Sequence, residues 1–518
     1  MRTVPAVGSV GHRWIAGIPL DDPLEVFAIR RRVLMGCAGL ACVPTWGNAN
    51  PGAKEPSAQL ILPAPVQELV ESSGLPSTCF GLHAQQVGRA ARAFISLNAH
   101  QPFQMASTTK LVTALAALDL LGAEYRWRTH AFLDGSLNDG RLLGDLVIVG
   151  GGDASLSSDA LRAWFEQMVA RGLREVWGDI VLDRFAFELN ELDHANTPRP
   201  AQDEPGYVRP DALTVDEGLL RVTLQTTPRG RRANVRLTPR QAGMRVVNQL
   251  TVGRACYASA RLDEGLVDAR LVVRGEWSAE CGDREIAHLA APHADFTARA
   301  VAELWRESGG RIKGRVRSRA DHERTASYPR RGDGEALEPW ASLWSAELPL
   351  LIREMNKTSD NLAARSLFLS LVSHFPAQAA TLPAARARLA AWLWAQGLRP
   401  DDIRVDNGAG LSRTEKCKPR ALVQLLNNAW QGPHSQAFFG SLPIAGVDGT
   451  LGRRLNSGAA AGRAHLKTGT GTDTRALAGY VRCRSSRTHA VAVFVNHPAA
   501  AGATATLDGV IDWLAANG

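Results

Sequence analysis

Apolar positions along this chain follow two spacings, helical in some stretches and short β-type blocks in others. Residues 66–73 read as a short helix, after a loop marked by Pro51, Pro56, Pro63 and Pro65, and 94–98 (Phe-Ile-Ser-Leu-Asn) as a strand. The strongest helix prediction is 105–121. Ser107, Thr108 and Thr109 supply capping hydroxyls at its start, and Gly122 stops it. After Lys110 this helix is apolar on nearly every side, which predicts burial. Between Tyr125 and about Pro292 the texture changes. Short apolar runs at 145–149, 179–182, 220–224 and 271–273 are divided by turn residues, with one helix near 158–170. Helical patterns return at 294–307, 349–371 and 383–396. Strands at 476–483 and 488–496 and a helix at 505–516 complete the chain. The run Gly150-Gly151-Gly152 after a strand lacks the Lys-Ser/Thr ending of a phosphate loop and reads as a tight turn.

A chain of 518 residues exceeds one compact core, so two or three domains are expected. With 45% hydrophobic and 21% charged residues it is ordinary globular material, not a disordered, collagen-like or disulfide-scaffold sequence. Mean hydropathy is -0.13, and no run of eighteen apolar residues occurs, which excludes a multi-span membrane protein. The net charge of +8 is dispersed apart from Arg30-Arg31-Arg32, and reads as a solvated basic surface with no nucleic-acid partner. Seven of the 59 basic residues are Lys (54, 110, 313, 357, 416, 418 and 467) and 52 are Arg. Arg stays charged in proteins whereas a buried Lys can give up its proton, so each retained Lys is a candidate for chemistry.

Arg30-Arg31-Arg32, the apolar 33–43 segment and Gly47-Asn48-Ala49 form a secretory-signal pattern. It sits far from Met1, so the expected start lies near Val26, with 1–25 an extension from a mis-set start codon; a short buried segment is the other reading. Leu34-Met35-Gly36-Cys37 is only lipobox-like. Cleavage after Ala49 leaves Cys79, Cys256, Cys281, Cys417 and Cys483, of which Cys256 and Cys281, close in sequence, are the expected pair. No Cys/His spacing suggests zinc.

Ser107-Thr108-Thr109-Lys110 opens the buried helix and puts Ser107 and Lys110 one turn apart on one face. A hydroxyl needs a neighbouring base to become a nucleophile, and a desolvated Lys near another cation can be that base. The helix N-terminus favours developing negative charge. Ser359-Asp360-Asn361 is a second element. Ser96-Leu97-Asn98 and Ser136-Leu137-Asn138 share its spacing but read as a strand and a turn. Lys467-Thr468-Gly469, before a hairpin, is a third: Lys467 offers a cation for a carboxylate, and Gly469 lets a substrate backbone approach a strand edge.

In the order Ser-x-x-Lys, Ser-Asp-Asn, Lys-Thr-Gly, these motifs resemble the serine penicillin-recognising superfamily. Gaps of 252 residues from Ser107 to Ser359 and 108 from Ser359 to Lys467 resemble its D-alanyl-D-alanine carboxypeptidase/endopeptidase branch, the class C low-molecular-mass penicillin-binding proteins (peptidase family S13, penicillin-binding protein 4 type). Leu97-Asn98-Ala99, Gly410-Leu411-Ser412-Arg413 and Ala445-Gly446-Val447-Asp448-Gly449-Thr450 carry the resemblance over roughly 80–515. It implies an α+β multidomain chain: a penicillin-binding transpeptidase-like domain from 50–124 and 291–518, built on an antiparallel five-stranded sheet flanked by helices, with a large β-rich domain at 125–290 inserted after the nucleophile helix. It implies Ser107 as nucleophile, Lys110 as base, Ser359 as proton relay tuned by Lys467, and Asn361 as partner of the substrate amide. Asp360, Thr468, Gly469 and Thr470 would line the substrate, and the backbone N–H groups of Ser107 and Thr470 would form the oxyanion hole. The implied partners are periplasmic peptidoglycan stem peptides ending in D-Ala, with β-lactams as inhibitors, no metal or organic cofactor, and at most loose membrane association. Carboxypeptidase and endopeptidase activity stay open, as does oligomeric state. A β-lactamase or esterase of the same superfamily, and a retired wall-binding protein, are the alternatives. Ala409 in place of Ser, Arg365 in place of an acid, Gly471, and a missing tryptophan in 195–206 depart from the family pattern and bear on side-chain specificity.

Overall fold

The computed structural model describes residues 61–88, 92–190, 193, 209–226, 233–264, 269–290, 293–319, 338–372 and 379–518. The expected signal segment and the 195–206 stretch lie outside the described residues. Among the described residues no helix is long and apolar enough to cross a membrane.

The strand Thr488–Asn496 alternates Ala490, Ala492 and Phe494 with Val491, Val493 and Val495. Period-two alternation sends these sets to opposite faces, and both are apolar, so the strand needs cover on each side. It pairs antiparallel with Thr474–Arg482 and with Phe80–Gln86, and the sheet closes with Ala464–Thr470 at one edge and Ile95–Leu97 at the other. This is the expected antiparallel five-stranded sheet. The valine face packs with Val66 and Val70 of the helix Ala64–Ser72 and with Leu507, Val510, Ile511 and Leu514 of Thr504–Asn517. The alanine face, with Tyr480, meets a largely helical core that includes Leu111, Val112 and Leu115 of the helix Thr109–Leu121. Every residue from Thr109 to Leu118 is buried, as its all-round apolar pattern predicts. Pairing of Phe80–Gln86 with Thr488–Asn496 brings strands from near the two ends of the described chain together, and places Lys467 on an edge strand beside the start of that helix.

The expected helix over 349–371 is two helices, Leu348–Thr358 and Asn361–Ser370. Ser359 takes left-handed backbone (φ 64°) and Asp360 caps the second helix, its Oδ1 accepting from the Ala363 N–H at 3.0 Å. Apolar periodicity continues across the break, which is why it reads as one helix.

The β-rich region begins with the hairpin Arg128–Asn138 and Arg141–Gly150. Asp139 and Gly140 both have positive φ (48° and 82°), the backbone of a type I′ turn. Ser136-Leu137-Asn138 therefore ends a strand and is not the turn itself. Gly150 ends the strand and Gly151 follows it close against other backbone: a Cβ on either would strike the Ala212 or Arg128 carbonyl, and the positive φ of the run falls at Gly152 (90°). This seven-stranded sheet takes in Ile180–Asp183, Val316–Ser318 and Ala341–Trp344, so its pairing runs past residue 290, where the sequence reading placed the boundary. Val301, Leu304 and Trp305 of the helix His293–Glu307 belong to its core. Two further three-stranded sheets, from 219–290, share a second core around Trp277 and Leu271, and the Cys256–Cys281 disulfide forms as expected.

Candidate active site

Ser107 lies in the single 3-10 turn Ala106–Thr108 that leads into Thr109–Leu121. Ala106 has φ +44°, a strained value for a residue with a Cβ. Two glycines make room for this turn. A Cβ at Gly410 would collide with the Ala106 carbonyl, and one at Gly469 would stand 2.6 Å from the Met105 oxygen. Gly469 thus admits the turn that carries Ser107; the sequence reading assigned it to the approach of a substrate backbone.

Lys110 is fully buried, and its Nζ is 3.0 Å from Ser107 Oγ. It donates to Asn361 Oδ1 at 2.6 Å and to the Ala409 carbonyl at 2.8 Å. Burial lowers its pKa to about 7, against the nearby Asp360 and Glu415 carboxyls, which pull it upward. Lys467, also fully buried, donates to Ser359 Oγ at 2.8 Å and to its neighbour's carbonyl, Thr468 O, at 3.0 Å. Burial, with Lys110 as a nearby like charge, puts it well below the ordinary lysine range. The left-handed backbone at Ser359 is what sets its hydroxyl facing the edge strand instead of continuing a helix face.

The five residues of the expected catalytic set therefore meet through two lysines: Ser107, Lys110 and Asn361 in one group, Ser359 and Lys467 in the other. Asp360 stands behind them as a helix cap, and burial raises its pKa. Thr468 Oγ1 donates to Thr450 Oγ1 at 2.9 Å. Thr470 is exposed at the strand end, where it, Ala106, Gly410, Arg413, Gly471 and Asp473 border a cavity of about 100 Å3. Among the described residues no group of three or more His, Cys, Asp or Glu side chains is placed to hold a metal.

Sequence reading missed two participants. One is the Ala409 carbonyl, which has no side-chain signature. The other is Glu415, 1% exposed, whose Oε1 accepts the N–H groups of Asp406, Asn407 and Gly408 at 2.9–3.0 Å. Burial pushes its pKa up while those bonds hold it down. Arg365, the family departure on the second helix, is also buried, which lowers its pKa to about 10, with Glu415 as the charge that opposes the loss.

The family described as D-Ala-D-Ala carboxypeptidase 3 (S13) matches residues 62–517. A D-alanyl-D-alanine carboxypeptidase of Actinomadura sp. (strain R39) is 30% identical over 390 residues, covering 73% of this chain and 70% of that protein. The D-alanyl-D-alanine carboxypeptidase DacB of Haemophilus influenzae is 24% identical over 398 residues, covering 76% of this chain and 80% of its own. The crystal structure of penicillin binding protein 4 (dacB) from Haemophilus influenzae superposes with a TM-score of 0.68 at 22% identity, over 86% of this chain and 99% of that one. At that identity the likeness speaks for the fold.

Proposed function

This chain belongs to the D-Ala-D-Ala carboxypeptidase 3 (S13) family, and on that premise we propose that it is a serine-type D-Ala-D-Ala carboxypeptidase, an endopeptidase, or both, acting on peptidoglycan stem peptides. The observation that carries the mechanism is the setting of Lys110. A neutral amine has two N–H groups and one lone pair. Asn361 Oδ1 and the Ala409 carbonyl occupy the two donors, which leaves the lone pair for the Ser107 O–H. With its pKa near 7, the amine is available in that state at neutral pH.

Ser107 Oγ attacks the carbonyl of the penultimate D-Ala as Lys110 takes its proton. The charge that develops on the carbonyl oxygen is held by the backbone N–H groups of Ser107 and Thr470. The peptide C–N bond then breaks, and Ser359 passes a proton to the leaving amine, with Lys467 tuning the hydroxyl. Asn361 binds the substrate amide; Lys467, Thr468 and Thr470 hold its carboxylate. Water attacks the acyl-serine, returns the enzyme and releases the shortened peptide. A β-lactam enters at the first step and leaves Ser107 acylated. A second structure of the Haemophilus influenzae penicillin binding protein 4, complexed with a novel β-lactam, supports this reading. The expected site of action is the periplasm, after export. Residues 61–124 and roughly 345–518 would form the peptidase domain, with 125–344 inserted.

Incubation with a pentapeptide ending in D-Ala-D-Ala should release free D-Ala in the wild type and none in Ser107→Ala. A wild type that neither releases D-Ala from the pentapeptide nor splits a cross-linked muropeptide into its separate stem peptides would sink the proposal.

A further inference from the structure

Lys110 can serve Ser107 only if its amine is aimed, and one of the two groups that aim it is a loop carbonyl. That loop, 406–412, has no regular structure, yet most of it is buried. A buried irregular backbone needs partners for its N–H groups. Glu415 supplies them: Oε1 accepts from Asp406, Asn407 and Gly408 at 3.0, 2.9 and 3.0 Å, and Oε2 from Ser412 at 3.3 Å. The loop is also tied to the nucleophile helix, where Thr113 Oγ1 donates to the Gly408 carbonyl at 2.7 Å. Asn407 Oδ1 accepts the Ala409 N–H at 3.0 Å, in the same turn whose Ala409 carbonyl takes Lys110 Nζ at 2.8 Å. Gly410 follows, in direct contact with the Ala106 backbone. One carboxylate thus shapes both the acceptor for the base and the wall of the nucleophile turn.

We propose that Glu415 is a positioning residue for this reaction: its carboxylate gathers the amides of 406–408 and 412 and so fixes the Ala409 carbonyl that aims Lys110 at Ser107. The inference rests on the acyl-serine reading above. Glu415 never touches substrate in this account. The charged groups facing Lys110 are Asp360, Glu415 and Lys467; those facing Glu415 are Asp406, Arg365 and Lys110. Glu415 as an anion also favours the ammonium form of Lys110, so its neutralisation has an electrostatic consequence that a loop buttress alone lacks.

The test is the second-order rate of acylation of the full chain by benzylpenicillin, measured from pH 5 to 9 for wild type, Glu415→Gln and Glu415→Asp, with a melting curve for each. Glu415→Gln should lower the plateau rate about tenfold to a hundredfold, the cost of a misplaced catalytic group. It should also move the midpoint of the pH profile downward by about half a unit or more, because an anion near the amine is lost. Glu415→Asp keeps the charge but draws the oxygens back from the amides, so the rate should fall with the midpoint near the wild-type value. If Glu415→Gln does not fold, Glu415→Asp alone decides. Rates and midpoints equal to wild type in a folded variant overturn the proposal, as does a rate loss in Glu415→Gln with an unmoved midpoint. A wild type that is not acylated at all refutes the acyl-serine reading first, and this inference with it.

Discussion

At the scale of the residue, the account turns on how burial changes a lysine. Taking an ammonium out of water favours its neutral form, and burial brings Lys110 down to about 7. A base must be unprotonated, so acylation should be slow below that pH, rise through it and level off above; a stopped-flow pH profile with benzylpenicillin checks this. Lys110→Arg keeps a cation that does not deprotonate, and should cost about 10²–10⁴ in acylation rate in the same assay. Scarcity of Lys pointed to Lys110 and Lys467, and both are fully buried at the site. The same scarcity did not separate them from Lys357, which anchors Asp448 at 2.6 Å, or Lys313, which lies 3.5 Å from the Trp177 ring centre. Glu415 stayed illegible because a buried acid that binds backbone amides looks, in sequence, like any loop carboxylate.

At the scale of the element, the informative places are where regular structure stops. Ser359 ends one helix in a left-handed conformation that costs a residue with a Cβ roughly 1–2 kcal/mol. Ser359→Gly should therefore hold or raise the melting temperature while D-Ala release falls, an opposition that calorimetry and a turnover assay would reveal together. Gly469→Ala should do the reverse kind of damage. Its new Cβ would press on the Met105 carbonyl and shift the Ser107 turn, so acylation should drop about tenfold or more in a chain that still unfolds cooperatively. The body of the helix Thr109–Leu121 and the strands near 476 and 488 were legible from periodicity, whereas the start expected at 105 is the separate 3-10 turn Ala106–Thr108, and no side-chain hydroxyl caps the helix. The break at Ser359 was not, because Leu-Pro-Leu-Leu-Ile before it and Leu-Ala-Ala-Arg-Ser-Leu after it keep one apolar rhythm. Pairing partners were also beyond reach: strand periodicity says which face is apolar, not that the strand at 80 lies beside that at 488.

At the scale of the whole molecule, the site depends on one sheet built from both ends of the described chain, and the β-rich region has cores of its own. The Cys256–Cys281 bond lies within the latter, closing a loop across a separation of 25 residues. Closure of a loop that size stabilises by about 3–4 kcal/mol. A Cys256→Ser, Cys281→Ser double variant should lose stability near that figure by denaturant unfolding, yet keep the wild-type rate of penicillin acylation. The family was legible from three short motifs and the gaps between them. That the seven-stranded sheet draws strands from beyond residue 290 was not, because Val316–Ser318 and Ala341–Trp344 are too short to stand out in sequence. The central claim is that Ser107, activated by Lys110, forms the covalent acyl-enzyme. The most direct measurement is the intact mass of the full chain after benzylpenicillin, with Ser107→Ala alongside. The account predicts one stoichiometric adduct on the wild type, mapped to the peptide that contains Ser107, and none on the variant. An equal adduct on both proteins, or an unmodified wild type with intact drug, would contradict it.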